Sequence, residues 1–275
     1  MMKKKHFLHI ILIVLLAVLA LAALDPRMIV RTYHVESKKI IHPVRLAVVA
    51  DYHGCHYGKG GERLLRAITA QAPDAILLVG DIFDDVLPWE DSTELVRSLA
   101  ENWPCFYVTG NHEYWSGEVD EILRIIEEAG VTILDQNCTG LTLNGQWINF
   151  CGIPDPYADV NTTTALTHAA DSIRQEGYTI LLAHRPELAE QYAACHTFDL
   201  TVSGHAHGGQ IRIPGVINGL YAPHQGWFPS YAGGLYTVHE MTLIVSRGLA
   251  RESTLFPRIF NRPELVVVDL LPPKG

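Results

Sequence analysis

The 275-residue chain is short of basic side chains, of paired cysteines and of repeats, and each shortage excludes something. Lys and Arg number 21 against 30 Asp and Glu, for a formal net charge of −9. Setting aside Lys3, Lys4 and Lys5 leaves −9 − 3 = −12 for the rest. An acidic body argues against nucleic acid as a partner, because phosphate backbones are met by clustered Lys and Arg. The five cysteines (Cys55, Cys105, Cys138, Cys151, Cys195) include no C-x-x-C pair and no metal-finger spacing. Cys105 and Cys151 lie in strand-like runs and read as small buried hydrophobes. The odd count leaves at least one thiol free if the others pair, and the redox compartment stays open. There is no repeat, no low-complexity tract and no linker that would cut the body in two.

What is present begins with apolar surface. The chain is 48% hydrophobic, ample for one large domain with its own core. From Phe7 to Leu24 only His9 interrupts the apolar run, which as a helix would span about 27 Å. Lys3–Lys5 precede it and Asp25-Pro26 end it. Residues 1–25 therefore read as an uncleaved single-pass membrane anchor, with a cleaved signal peptide ending near Ala20-Leu21-Ala22 as the rival. Basic residues before the run place the body on the outer side of the cell membrane, although Arg27, Arg31, Lys38 and Lys39 beyond it weaken the asymmetry. Residues 26–43 read as a short connector, and residues 44–275 as one domain.

Within that domain short β-branched runs alternate with amphipathic segments. Strands are expected at Arg45–Ala50, Ala75–Val79, Cys105–Thr109, Thr179–Ala183 and Asp199–Ser203. Helices are expected at Glu62–Gln71, Ser92–Asn102 and Glu118–Ala129, the last closed by Gly130. Strand-like runs at Leu141–Cys151, Gln210–Ile213, Met241–Ser246 and Leu265–Leu270, with few helices between them, suggest a second sheet packed on the first.

Fourteen histidines make a metal centre worth seeking, and their placement supplies one. The five buried strands end in Asp51-Tyr52-His53-Gly54, Gly80-Asp81-Ile82-Phe83-Asp84, Gly110-Asn111-His112-Glu113, His184, and Gly204-His205-Ala206-His207. In α/β sheets the carboxyl ends of strands are where ligands bind. Carboxylate, imidazole and amide donors suit Mn, Fe or Zn. Each fragment alone has a bland reading: Asp-X-His as a surface turn, Gly-Asp and Gly-Asn as turn dipeptides, His184 as a satisfied core histidine. Five such groups in order at equivalent strand ends outweigh those readings.

The ordered set Asp51-X-His53, Gly80-Asp81-X-X-Asp84, Gly110-Asn111-His112-Glu113, His184 and Gly204-His205-X-His207 resembles the signature of the calcineurin-like metallophosphoesterases. The tail, Ser246-Arg247-Gly248-Leu249 and Arg258 through Pro263-Glu264, resembles the membrane-anchored bacterial branch related to UDP-2,3-diacylglucosamine hydrolases, with Ala250 where glycine is expected. The resemblance implies an α/β fold, a four-layer αββα sandwich of two mixed sheets behind the transmembrane helix. It also implies two divalent metal ions. One is held by Asp51, His53, Asp81 and His207, the other by Asp81, Asn111, His184 and His205, with Asp81 bridging. Such a pair lowers the pKa of a shared water and clamps phosphate oxygens for in-line attack. His112 then protonates the leaving oxygen while Asp84 orients its ring.

The aromatic stretch Gly219–Tyr236, with His224, reads either as a packed cover or as a substrate lid or interfacial patch. Cys55 and His56 are placed at the mouth. Arg185 is placed to meet a phosphate, with a surface ion pair as the alternative. The implied activity is hydrolysis of a phosphodiester or pyrophosphate that is lipid- or envelope-associated. A general phosphatase for phosphoproteins or nucleotides is the second reading, and an inactive envelope-binding protein the third.

Overall fold

The β-branched runs form strands and the three- and four-spaced segments form helices in a computed structural model, which describes residues 2–251 and 257–274, with the backbone alone at residues 2–5 and 8. The chain opens with α1 (Met2–Ala23), β1 (Ile29–Glu36), β2 (Val44–Val49), α2 (Glu62–Thr69), β3 (Ala75–Val79) and α3 (Glu90–Ala100). It continues through β4 (Cys105–Val108), α4 (Asn111–Trp115), α5 (Val119–Glu128), β5 (Thr132–Ile133), β6 (Asn137–Leu143) and β7 (Gln146–Gly152). Then come α6 (Thr162–Asp171), β8 (Tyr178–Leu182), α7 (Ala189–Ala194) and β9 (Leu200–Ser203). Short strands β10 (Tyr221–Ala222) and β11 (Gly226–Trp227) lead to β12 (Gly234–Val238), β13 (Met241–Val245) and β14 (Glu264–Leu271).

Two six-stranded mixed sheets result, in the orders β1-β14-β2-β3-β4-β5 and β12-β13-β9-β8-β7-β6. Strands β2 to β5 run parallel, with β14 antiparallel beside β2. Strands β7, β8, β9 and β13 also run parallel. The alternation along each strand sorts side chains into layers. Leu46 and Val48 of β2, with Ala50 just past its end, face the other sheet, while Ala47 and Val49 face helices. Leu64, Leu95 and Ile122, from α2, α3 and α5, cover the outer face of the first sheet. Leu166 of α6 and Tyr192 of α7 cover that of the second. Burial on both faces is why the central strands read as unbroken apolar runs.

Several expectations are corrected. The N-terminal run is helical, but among the described residues no helix is long and apolar enough to cross a membrane. His9 interrupts its apolar run. Beyond His9 the helix retains only residues 10–23, 14 residues or about 21 Å, against a hydrocarbon core of about 30 Å. The reading of orientation from Lys3–Lys5 rests on side chains outside the described set. Leu141–Cys151 is a hairpin and not one strand: Asn144 and Gly145, both at positive φ (49° and 78°), turn β6 into β7. Gln210–Ile213 makes only isolated bridges, Ile211 to Ile259 and Ile213 to Ile217. The stretch read as connector contains β1, which adds to the sheet beside β14. Cys151 is not a lone buried thiol but is joined to Cys138, its direct partner in the β6–β7 register. Cys55, Cys105 and Cys195 form no disulfide.

The two sheets meet at stacked rings: Phe106 of β4 and Phe150 of β7 lie 4.0 Å apart at 12°. Phe150→Ala is expected to cost about 3–5 kcal/mol, the usual loss for a deleted core phenylalanine. Urea denaturation measures it, and a loss under about 1 kcal/mol would show that the sheet interface does not depend on this contact.

Candidate metal centre

The carboxyl ends of β2, β3 and β4 from one sheet, and of β8 and β9 from the other, converge on one edge of the sandwich. Asp51 and His53 follow β2, Asp81 and Asp84 follow β3, Asn111 follows β4, His184 follows β8, and His205 and His207 follow β9. Five of these seven metal-ligand candidates are held in the left-handed region: Asp51 at φ 48°, His53 at 51°, Asp81 at 51°, His205 at 64° and His207 at 46°. A side chain there costs of order 1 kcal/mol or more, and such backbone persists only where its surroundings over-determine it. The surroundings here are hydrogen bonds between the loops: Asp51 N to Gly80 O (3.1 Å), His53 N to Asp81 O (3.0 Å) and Gly204 N to His184 O (3.1 Å). Two glycines are required by close approach. A Cβ at Gly80, itself at φ 74°, would sit 2.4 Å from His184 Nδ1, and one at Gly110 would sit 2.2 Å from Asp81 Oδ1.

Donor atoms of Asp51, His53, Asp81 and His207 lie within 4.8 Å of one another, as do those of Asp81, His184 and His205. Asp81 belongs to both groups. Asn111 is buried beside them, the residue before His112, whose backbone N–H donates to Asp81 Oδ1 at 2.9 Å. Asp51 Oδ2, His53 Nε2 and Asn111 Oδ1 are buried with no hydrogen-bond partner. Buried polar atoms are nearly always paired, so three orphaned donors in one cluster fit metal ligation. The rings are pre-oriented for it. His184 Nδ1 is 2.9 Å from Val79 O, which turns Nε2 toward Asp81 Oδ2 at 3.0 Å. His53 Nδ1 is 2.7 Å from Asp84 Oδ2, which leaves Nε2 facing the cluster. Backing a ligand imidazole with a carbonyl or carboxylate is the usual outer support of a metal site.

Electrostatics sort the imidazoles: against burial, Asp81 raises His184 to about 10 and Asp84 raises His53. Burial opposes ionisation of Asp81, but His184 overrides it and holds Asp81 well below the ordinary carboxylate range. Asp51 is raised, by burial first. Burial, then the neighbouring His184 and His53 respectively, push His205 and His207 well below the ordinary imidazole range, which keeps both neutral and able to ligate. Oxygen and nitrogen donors of this kind suit a borderline divalent ion.

His112 and Asp84 are brought together less closely than expected. Asp84 Oδ2 is 3.5 Å from His112 Nδ1, and Asp85 Oδ1 is 2.6 Å from the same nitrogen. Asp84 thus serves His53 first and Asp85 serves His112, a distinction that adjacent aspartates in a sequence cannot reveal. His112 packs edge-on against His53, with ring centroids 4.4 Å apart.

Glu113, part of the motif but given no role from sequence, is fully buried. Its carboxylate accepts from Asp81 N (3.0 Å), Ile82 N (2.8 Å), Phe83 N (3.1 Å) and Gly110 N (2.7 Å). One side chain therefore fixes both loops that carry Asp81 and Asn111. Burial and then Asp81 push its pKa up to about 7, against the backbone N–H groups that favour the ionised form.

Arg185 is buried, not a surface ion pair. Both arms of its guanidinium meet Asp155, and Nη1 lies 3.1 Å from His205 Nε2 and 2.6 Å from His224 Nδ1. His224 reaches in from the aromatic stretch, where β10 and β11 form a small ribbon, and with Glu187 and His205 it makes a further group able to hold a cation. That stretch therefore covers the His205 side of the cluster. Trp227 and Phe228, at 61% and 67% exposure, face solvent. Cys55 is buried and His56 is exposed beside Asp91 (3.2 Å).

Two mixed sheets that gather a shared carboxylate, an amide and four imidazoles at one edge make a centre suited to metal-dependent phosphoester chemistry. Residues 44–209, more than half of the chain, match the family model described as calcineurin-like phosphoesterase, and the chain belongs to that family. It is 33% identical over 151 residues to an uncharacterized metallophosphoesterase of Helicobacter pylori, covering 54% of this chain and 40% of that protein's length. It is 28% identical over 205 residues to Phosphodiesterase YaeI of Escherichia coli, covering 73% and 72% of the two chains. The solved structure of an NAD nucleotidase from Haemophilus influenzae shares the fold, with TM-score 0.54 at 14% identity over 75% of this chain and 45% of that one.

Glu113→Gln tests the loop staple. It leaves two of the four N–H groups facing an amide NH₂, and the expected loss is about 2–6 kcal/mol, one to three per unpaired buried donor. Urea denaturation reads it; a change within about 0.5 kcal/mol would place the two loops under other control.

Proposed function

We propose that the chain hydrolyses a phosphodiester whose natural form is lipid-linked or otherwise envelope-associated. The observation that carries the hydrolytic part is the set of orphaned buried donors, Asp51 Oδ2, His53 Nε2 and Asn111 Oδ1, gathered around a doubly shared Asp81. Asp51, His53, Asp81 and His207 would hold one divalent ion, and Asp81, Asn111, His184 and His205 the other. When bound, the pair supplies an activated water and stabilises the phosphate's charge. Asp81, kept ionised, offers an oxygen to each side. His112 stands at the rim and moves a proton to the departing oxygen through its Nε2, since Nδ1 is engaged by Asp85 and, more distantly, Asp84. Glu113 keeps the loops in register, so that proton donor and ligands hold their mutual placement.

A diester is favoured over a monoester by the likeness to a relative named a phosphodiesterase. Support for a lipid-linked substrate comes from apolar surface: α1 exposes Ile10, Leu12, Val14 and Leu16, and the aromatic stretch exposes Trp227 and Phe228. The tail motif Ser246-Arg247-Gly248-Leu249, resembling the diacylglucosamine hydrolase branch, points the same way. Both surfaces suit contact with a lipid headgroup layer, where the enzyme would act.

Two measurements test this reading. Asp81→Asn should lower the content of both metals and turnover together, checked by elemental analysis; two full equivalents with normal activity would sink the assignment. His112→Ala should retain both metals yet slow hydrolysis by about 100-fold or more, the usual worth of a general acid. The loss should shrink for nitrophenolate leaving groups, which need little protonation. Equal losses for good and poor leaving groups would give His112 a different role.

A further inference from the structure

A concavity of about 630 Å³ lies toward β1 and β14, away from His112, and four guanidinium groups stand on its wall: Arg31, Arg212, Arg247 and Arg262. Their charge is under-compensated. Glu264 is fully buried, and its Oε2 lies 3.3 Å from both Arg31 Nε and Arg247 Nε, yet neither nitrogen finds a hydrogen-bond partner in its buried position. Arg262 lies 3.4 Å from Asp25, a carboxylate already paired with Arg27. Arg212 makes no ion pair among the described residues; it donates to Gly208 O at 3.1 Å and to Asn218. Burial, then the charge of Arg247, push Arg212 down to about 10. With Asp25 already paired to Arg27, the four wall arginines against Glu264 leave 4 − 1 = 3 positive charges at one cavity in a chain whose net charge is −9.

The cavity also incorporates sequence that the metal centre leaves unused. Arg247 belongs to the Ser246–Leu249 motif and Glu264 closes the Arg258–Glu264 motif. Asn261, between them, donates to His207 O at 2.7 Å, so the arginine wall is mechanically continuous with the metal loops. Its collar is apolar. Ile29, Ile217 and Phe260 line it together with Ala22 of α1, and Phe260 N donates to Ala23 O at 2.7 Å. Mere bracing of the tail would be served by a balanced set of ion pairs; surplus guanidinium charge beside apolar side chains fits an anion that carries an apolar group.

We propose that this cavity is a second ligand site, distinct from the metal centre, that takes the phosphate of a phosphorylated amphiphile: phosphomonoester or diphosphate oxygens on Arg31, Arg212 and Arg247, and the apolar part against the collar beside α1. The inference stands independently of hydrolysis, because it concerns binding to the metal-free chain.

The test uses the full chain freed of metal by a chelator that is then removed. Calorimetric titration with inorganic pyrophosphate should show one saturable site. Arg31→Gln, at a half-exposed position, should weaken it about tenfold or more, the loss of one charge-assisted hydrogen bond. Arg212→Lys, which retains charge and fold but not the planar fork, should weaken it less than Arg212→Gln. Co-sedimentation with phosphatidylcholine vesicles, with and without phosphatidic acid, separates the two sources. Retention by the acidic vesicles that is lost in Arg31→Gln assigns the site to lipid phosphate; pyrophosphate binding without vesicle retention assigns it to soluble phosphates and keeps the site. Absence of binding to both probes, or wild-type binding by a folded Arg31→Gln protein, would overturn the proposal. Metal uptake by Arg31→Gln, followed by elemental analysis, should match the wild type, so a failure here and a failure of the metal assignment are told apart.

Discussion

Two buried carboxylates tie the carboxyl edges of the two sheets together. Asp51 Oδ1, at the end of β2, accepts from His205 N beyond β9 at 2.8 Å, and Asp81 Oδ2, at the end of β3, lies 3.0 Å from His184 Nε2 beyond β8. Burying a carboxylate costs several kcal/mol unless its partners are well placed, so everything nearby is arranged to place them. The left-handed ligand residues, the glycines at 80 and 110 and the four-way staple from Glu113 all follow from that requirement. The same bonds that join the layers also aim the ligands, so stability and chemistry share one set of contacts.

Around this junction the surface is electrically lopsided. The concavity of about 940 Å³ beside Asp84 and Asp85 is lined also by Glu90, Glu94, Glu101 and Glu118, with Arg97 the one arginine there. The cavity toward β14 is lined by arginines instead. The two cavities therefore carry opposite charge, a polarity that the net charge of the chain conceals.

That these Asp, Asn and His side chains would gather at one edge was legible in the sequence because each sits where a continuous apolar run stops, and the runs themselves announce doubly covered strands. What was not legible depended on distance or on direction. Arg185 was open between a phosphate contact and a surface ion pair because Asp155 and His224, which enclose it, lie 30 and 39 positions away. Asp84 and Asp85 are neighbours, and only their side-chain directions show that one backs His53 and the other His112. Glu113 read as part of a turn motif because its partners are backbone groups, which no sequence pattern advertises. The Asn144-Gly145 turn is a different case: the signal was present, and an apolar run on both sides hid it. In the N-terminal run the interruption at His9 was counted as tolerable, whereas only residues 10–23 of the helix are apolar without a break.

Strand β14 lies between β1 and β2, and Ile29 pairs with Glu264, 264 − 29 = 235 positions later. During synthesis, β1 has no neighbour in its sheet until the final strand has left the ribosome. The Ser246–Glu264 segment, which packs Gly248 against Asp51 and braces His207 through Asn261, arrives equally late. Vectorial folding can assemble β2 to β5 with their helices, yet the ligand cluster acquires these supports only once the Ser246–Leu271 segment has been made. Loss of a few residues from β14 would consequently detach β1 and loosen the centre together, although none of the ligands lies within 50 positions of that strand.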